Sequence, residues 1–292
     1  MPKVTMIHFL FCASFMESFR NSEYQLLLWI CEHRTEFLTL FFFSMTVLGS
    51  KYLYLLLIPT FFACMSRTKA YSYSKLVLGS LILNALIKEL FSINRPSPEI
   101  VTPLYETFAK GFSFPSGHAQ MSALLGGLLI IRLRKSLPLC TLLIGIILSV
   151  SFSRLYLAAH FPTDIIGGWI AGLIILAGYL YSEKRNFSSP TILLILVCAS
   201  LLLLPCSERI TALCSTLAGL SCGMLLPLKQ NVQRIPSQRF LALCLMFIGN
   251  TTVIFISTFL QLPKLTEFVL HGLWMSYFFF NAAGYIPLLN RK

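Results

Sequence analysis

Acidic residues are scarce in this sequence: aspartate and glutamate together number 11, and Asp164 is the only aspartate. Charged residues of both signs make up 12% of the chain, whereas soluble domains carry about 25%. Hydrophobic residues, by contrast, make up 56%. This balance excludes an ordinary soluble globular domain and indicates a protein that lies in lipid.

The sequence also lacks any Cys-x-x-Cys pair, although it contains nine cysteines. Without paired spacing, and with an odd number, the cysteines predict neither a zinc site nor a disulfide framework. Most of them lie in apolar runs, where cysteine behaves as a small packing residue. We therefore predict no metal and no other cofactor.

Apolar runs follow one another along most of the chain, separated by short polar breaks. A span needs about 20 residues, and helices are the elements that satisfy their own backbone in lipid. The predicted fold is therefore an all-α, polytopic helical bundle. Beyond residue 65 we expect spans near 76–90, 116–132, 139–153, 163–181, 190–205, 210–227, 240–261 and 268–288.

Basic residues outnumber acidic ones, with a formal net charge of +12, but they fall in clusters at alternate breaks between apolar runs. This is the positive-inside pattern of cytoplasmic loops, so we predict a lipid bilayer and no nucleic acid as the partner. It also places the chain ends on the cytoplasmic side. The clusters are Arg67, Lys69 and Lys75; Arg132, Arg134 and Lys135; Lys184 and Arg185; Lys229, Arg234 and Arg239; and Arg291 with Lys292.

The amino-terminal topology stays open at this point. The segment Thr35–Met65 is either two short spans or one broken span, and in the second case Val4–Phe15 is the first span. A cleaved signal peptide is a third reading of Val4–Phe15. Asn21–Glu36 mixes charges with Trp29 and is typical of an interfacial helix.

Polar side chains gather at three places that the predicted topology puts on one face, opposite the basic loops. Ionisable groups at membrane depth cost roughly 2.5–3.5 kcal/mol each, so their convergence predicts a functional site. The three groups are Lys88 with Arg95; Ser116, Gly117 and His118, which follow Pro115; and Arg154 with His160 and Asp164.

The chemistry of these residues suits a phosphoryl group. Lys88, Arg95 and Arg154 bring positive charge together, and guanidinium groups match the oxygens of phosphate. Ser116 and Gly117 precede an apolar run and predict a helix start, where Ser116 can cap and free N–H groups bind anions.

Two histidines beside a phosphate suit two tasks: one attacks phosphorus, and the other donates a proton to the departing oxygen. An attacking imidazole needs an acceptor on its other nitrogen, and Asp164 can provide one for His160. Pro162 predicts a helix start that puts Asp164 in the first turn, where the helix dipole favours an anion.

The three motifs resemble those of the type 2 phosphatidic acid phosphatase superfamily, which includes glucose-6-phosphatases and vanadium haloperoxidases. The family pattern is Lys-x6-Arg-Pro, Pro-Ser-Gly-His and Ser-Arg-x5-His-x3-Asp, and every defined position is matched here. The resemblance implies that Lys88, Arg95, Ser116, Gly117 and Arg154 bind phosphate without a metal. It also implies that His118 is the general acid, His160 the nucleophile and Asp164 its orienting partner.

The resemblance covers roughly residues 35–182, which predicts an amino-terminal segment at 1–34, a catalytic core at 35–182 and an additional transmembrane region at 183–292. Together with the predicted topology and the membrane setting, it leads us to expect hydrolysis of a lipid phosphate on the non-cytoplasmic side. Phosphatidic acid, phosphatidylglycerol phosphate, a polyprenyl diphosphate, lipid A phosphate and a sphingoid phosphate are all open. The alternatives are a lipid-to-lipid phosphotransferase and, in another class, a transporter of phospholipids or anions.

Overall fold

The computed structural model describes residues 19–104, 111–185, 207–225 and 236–279. Every regular element in these ranges is helical, which confirms the all-α prediction. The helices are α1 (Arg20–Glu32), α2 (Glu36–Leu48), α3 (Lys51–Cys64), α4 (Arg67–Phe91), α5 (Gly117–Arg132), α6 (Leu137–Tyr156), α7 (Pro162–Lys184), α8 (Glu208–Leu225), α9 (Pro236–Phe259) and α10 (Lys264–Leu273), followed by a π-helical turn at Trp274–Phe278.

The helix boundaries follow local chemistry. Thr35 precedes α2, and its Oγ1 accepts the backbone N–H of Leu38 at 3.3 Å, which is a side-chain N-cap. Helix α7 begins at Pro162, the position at which proline is favoured because its missing N–H would be unpaired there anyway. Ser116 lies at the N-cap position of α5, but its side chain makes no capping bond. The expected capping role of Ser116 is therefore not observed.

Three described helices are long and apolar enough to cross a membrane, namely Leu137–Tyr156, Pro162–Lys184 and Phe240–Phe259. The segment Thr35–Met65 forms two separate helices, α2 and α3, of 13 and 14 residues. The span expected at 190–205 and the end of the one expected at 268–288 lie outside the described residues.

The chain divides into two compact units. The first unit is Met1–Leu53 with Leu83–Tyr181, and the second unit is Tyr54–Ile82 with Ser182–Lys292. Within the first unit, α6 packs against α5, α2 and α1.

Helices α5 and α7 of the first unit approach each other through small residues. A Cβ added at Gly168 would lie 2.6 Å from the carbonyl oxygen of Ser116, and one at Gly172 would overlap the carbonyl oxygen of Gln120. This Gly-x-x-x-Gly spacing therefore serves helix packing, as its sequence pattern suggests. The close approach places the N-terminus of α7 beside the N-terminus of α5.

Within the second unit, α8 packs closely on α10. A side chain at Gly219 would overlap the backbone of Val269, and one at Gly272 would overlap the backbone of Thr216. Glycine residues thus set the distance between α8 and α10, as they do between α5 and α7.

Candidate active site

The three polar segments meet in the first unit, at the adjoining N-termini of α5 and α7. The backbone N–H of Ser116 donates to the carbonyl oxygen of Asp164 at 2.9 Å. His118 lies close enough to contribute to the electrostatics of His160. The convergence expected from topology is therefore present in the fold. Five of the predicted site residues are buried: Lys88, Ser116, Arg154, His160 and Asp164.

Asp164 and Arg95 bind opposite nitrogens of the His160 ring. Nδ1 lies 3.2 Å from Asp164 Oδ2, and Nε2 lies 3.1 Å from Arg95 Nη1. An arginine can only donate, so Nε2 is the acceptor and a neutral ring carries its proton on Nδ1. Asp164 Oδ2 also accepts the backbone N–H of Phe161 at 2.8 Å. The lone aspartate therefore selects the tautomer that leaves the Nε2 lone pair available.

The burial of His160 lowers the pKa of its imidazole well below the usual value, and the nearby charges of Arg95, Lys88 and Arg154 lower it further. Burial disfavours the charged imidazolium, and adjacent cations repel it. His160 is therefore neutral near pH 7, which is the protonation state that a nitrogen nucleophile requires.

Ser113 is a member of this site that the sequence motifs do not indicate. Its Oγ donates to Asp164 Oδ2 and lies 3.3 Å from His160 Nδ1. Its carbonyl oxygen accepts from Lys88 Nζ at 2.7 Å. The only sequence signal is a position two residues before Pro115, in the segment that leads into α5. Ser113 thus links the lysine motif to the histidine–aspartate pair.

Lys88 and Arg95 hold backbone carbonyls of the two loops that carry the site. Lys88 Nζ donates to the carbonyl oxygen of Phe112 at 2.6 Å. Arg95 donates from Nε to that of Gly111 at 2.9 Å and from Nη1 to that of Ala159 at 2.6 Å. These cations therefore organise the loops before α5 and α7. Contacts between these cations and a phosphate remain a prediction.

Helix α2 supplies a second set of residues that sequence reasoning missed. Arg154 Nη1 donates to Thr46 Oγ1 at 2.5 Å, and His118 hydrogen-bonds to the Thr46 backbone. A Cβ added at Gly49 would lie 2.7 Å from Cδ2 of the His118 ring, so that ring rests against the chain at Gly49. The end of α2 therefore supports both side chains, and no local motif predicts it because the partners are distant in sequence.

Asn84, one helical turn before Lys88, supports the start of α5. Its Nδ2 donates to the carbonyl oxygen of Pro115 at 3.2 Å and to Gln120 Oε1 at 2.9 Å. A Cβ at Gly117 would lie 3.1 Å from Asn84 Oδ1. Glycine at this position therefore lets the chain pass close to Asn84.

Two buried polar atoms at this helix start are left without a bond. Ser116 Oγ and His118 Nε2 have no hydrogen-bond partner among the described residues. Unpaired buried polar groups are costly, and each one calls for an explanation. Both atoms belong to the first turn of α5, where backbone N–H groups and the helix dipole favour an anion. The arrangement is suited to an oxyanion beside a neutral, oriented imidazole.

Within the described residues, no three His, Cys, Asp or Glu side chains lie together in a metal-binding arrangement. The metal-independent reaction implied by the motifs stays a prediction.

Comparison with known proteins relates the segment that contains this site to a family. Residues 69–188 match the model of the PAP2 superfamily, and that segment contains all eight predicted site residues. This segment is therefore similar to the PAP2 superfamily. The resemblance drawn from the three motifs is thereby confirmed.

Two similar proteins carry names that specify lipid phosphates. Phosphatidylglycerophosphatase B of Bacillus subtilis (strain 168) is 35% identical over 109 residues, which cover 34% of this chain and 51% of that protein. Undecaprenyl-diphosphatase of Sulfolobus acidocaldarius is 33% identical over 97 residues, covering 32% and 45% respectively. The chain thus aligns with about half the length of the curated relatives it matches.

A solved structure with a similar fold is that of the first transmembrane PAP2-type phosphatidylglycerolphosphate phosphatase from Bacillus subtilis. It has a TM-score of 0.50 and 25% sequence identity, covering 62% of this chain and 94% of that one. With the long apolar helices α6, α7 and α9, this similarity supports an integral, multi-pass membrane protein.

Proposed function

We propose that this PAP2-family protein is an integral-membrane phosphatase that hydrolyses a lipid phosphomonoester or diphosphate through a phosphohistidine. The observation that carries the proposal is the orientation of His160. Asp164 binds its Nδ1, and Nε2 contacts Arg95, while Ser116 Oγ and His118 Nε2 are unpaired at the start of α5.

In the first half-reaction, Arg154 and the N-terminus of α5 hold the phosphoryl oxygens, and the Nε2 lone pair of His160 attacks phosphorus. The hydrogen bond from Arg95 to Nε2 is exchanged for one to a phosphoryl oxygen, which frees the lone pair. The bond between phosphorus and the leaving oxygen breaks as the new bond to nitrogen forms. His118 donates a proton to the leaving oxygen, and the dephosphorylated lipid departs.

In the second half-reaction, water attacks phosphorus and the phosphorus–nitrogen bond breaks. His118, now neutral, takes a proton from the water, and His160 recovers its lone pair. The product is inorganic phosphate, and Asp164 stabilises the positive charge that His160 carries as the phosphohistidine. Lys88 and Arg95 contribute positive charge while they hold the loops around the group in transfer.

The substrate class is proposed from the setting and the names of the relatives. Those names specify phosphatidylglycerophosphate and undecaprenyl diphosphate, and both are amphiphiles with a terminal phosphoryl group. An amphiphile can enter from the bilayer with its headgroup at the interface. The positive-inside pattern supports an active site on the non-cytoplasmic face. A membrane-impermeant phosphate ester, supplied outside intact cells and cleaved without lysis, would test that sidedness.

The principal experiment measures phosphate release by the purified chain in detergent across a panel of lipid phosphates, with His160→Ala as the control. Release by the wild type and none by the variant is the expected result. Equal release by both would remove the mechanism.

The same experiment tests the phosphotransferase alternative, in which an acceptor lipid rather than water resolves the phosphohistidine. Lipid acceptors are added, and the products are separated. Free phosphate supports hydrolysis, whereas a phosphorylated acceptor with no free phosphate supports transfer.

A further inference from the structure

Helix α1 lies outside the family motifs and the matched segment, yet it contains a buried carboxylate. Glu23 is 6% exposed. Its Oε1 accepts the backbone N–H of Thr163 at 2.8 Å, and its Oε2 accepts Arg20 Nη1 at 2.9 Å. A buried carboxylate is costly unless its oxygens are bonded, and both oxygens of Glu23 are bonded here.

Thr163 is the residue before Asp164 and lies in the first turn of α7. The first N–H groups of a helix have no partner within the helix, and a carboxylate that accepts one is favoured by the helix dipole. Glu23 therefore attaches α1 to the turn from which Asp164 reaches His160.

Phe161, the residue after His160, is held by α1 on two sides. The guanidinium carbon of Arg20 lies 3.8 Å from the centre of its ring, and the ring of Tyr24 meets it edge-on with centroids 5.1 Å apart. The Phe161 backbone N–H also donates to Asp164 Oδ2. The conformation of this turn therefore depends on α1.

Tyr24 links α1 to the arginine motif as well. Its hydroxyl accepts the backbone N–H of Ser97, two residues after Arg95. Arg95 in turn contacts His160 Nε2. Helix α1 thus contacts the chain on both sides of the imidazole, next to Arg95 and next to Asp164.

From these contacts we infer that Glu23, together with Arg20, is a positioning residue that sets the orientation of the His160–Asp164 turn. This inference rests on the proposed function, because it concerns the angle from which His160 attacks phosphorus. Neither side chain touches the reacting atoms in this role. Displacement of a reacting group by about 1 Å can lower a rate by about 100-fold, so partial loosening of the turn should have a measurable effect.

The test uses Glu23→Gln in the full-length purified protein. The amide can still accept from Thr163, but it cannot pair with the Arg20 cation. We expect kcat to fall about tenfold with KM within twofold, because orientation affects the transition state more than the bound substrate. The matched control is Glu32→Gln, an exposed carboxylate on the same helix, which should match the wild type.

Orthovanadate separates positioning from a loss of folded protein. A smaller folded fraction lowers kcat but leaves the inhibition constant unchanged. A misoriented His160 weakens binding of this pentavalent phosphorane mimic, so the inhibition constant should rise by the same tenfold. Arg20→Gln should raise the inhibition constant as well. The increase in the double variant should be smaller than the product of the two single increases.

The outcomes distinguish this inference from the proposed function. No phosphate release by the wild type, or full release by His160→Ala, would overturn the proposed function itself. An active wild type with Glu23→Gln equal to Glu32→Gln would overturn only the positioning role. If Glu23→Gln does not fold, the vanadate constant of Arg20→Gln decides the question, and an unchanged constant rejects the inference.

Discussion

The two compact units use their polar residues differently. In the first unit, Ser116 Oγ and His118 Nε2 are buried at the start of α5 without partners among the described residues. In the second unit, the hydroxyls of Ser74 and Ser257 are also unpaired among the described residues, but the histidine is paired: His271 Nδ1 lies 2.9 Å from Asn250 Oδ1. An unpaired histidine nitrogen next in sequence to an unpaired N-cap hydroxyl indicates a binding site, whereas a paired histidine indicates packing.

The two units can also be compared through one arginine in each, Arg67 in the second unit and Arg154 in the first. It donates from Nε to the carbonyl oxygen of Ser276 at 2.6 Å and from Nη2 to that of Gly223. Arg154 in the first unit instead donates to the hydroxyl of Thr46, and the charge of Arg95 repels its own. Bonds to carbonyls occur in both units, since Lys88 and Arg95 make them too, but several cations at one site favour an anionic ligand.

The largest expected effect comes from removing His160 in the first unit. Removing a histidine of the second unit provides the comparison. His160→Ala should reduce phosphate release to background because no other described side chain is placed to attack. His271→Ala, the matched control in the second unit, should retain activity within about twofold. Phosphate release by monodisperse protein measures both. Comparable loss in the two variants would contradict the functional contrast between the units.

Asp164→Asn should have the next largest effect, a fall in kcat of about 10⁴-fold. The amide can donate to Nδ1 and favour the wrong tautomer, and it cannot stabilise the positive charge on His160. Kinetics together with a thermal melt would check this prediction. Collapse of the fold without a measurable folded state would favour a structural role for Asp164.

His118→Ala should slow the reaction about 10²–10⁴-fold for substrates with a poor leaving group, which is the usual range for a general acid. Substrates whose leaving group departs without a proton should be affected far less. A series of phosphate esters with graded leaving groups measures the difference. An equal loss across the series would argue against proton donation.

The smallest expected effect is that of Thr46→Val, about tenfold in kcat/KM. This change keeps the shape of the side chain but removes the hydroxyl that accepts from Arg154. Thr46→Ser, which keeps that acceptor, is its control and should remain close to the wild type. Equal kcat/KM values for the valine and serine variants would show that the hydrogen bond from Arg154 to Thr46 does not affect the reaction.

The helical class and the candidate site residues could be read from the sequence because each depends on local pattern. Apolar runs specify helices in lipid, Pro162 marks the start of α7, and the spacing from His160 to Asp164 sets a contact within one turn. The contributions of Ser113, Thr46 and Glu23 could not be predicted in this way. Arg154 and Thr46 are 108 residues apart, and Thr163 and Glu23 are 140 residues apart.

The sequence by itself determined that this chain is a helical membrane protein with a PAP2 signature, because hydrophobicity and short-range spacing are properties of the chain alone. Only the tertiary structure decided which groups complete the site: Ser113 at the histidine–aspartate pair, Lys88 and Arg95 on loop carbonyls, and α1 against the catalytic turn. Contacts between distant segments depend on how closely the helices approach. Here the approach of α7 to α5 is set by the missing side chains of Gly168 and Gly172.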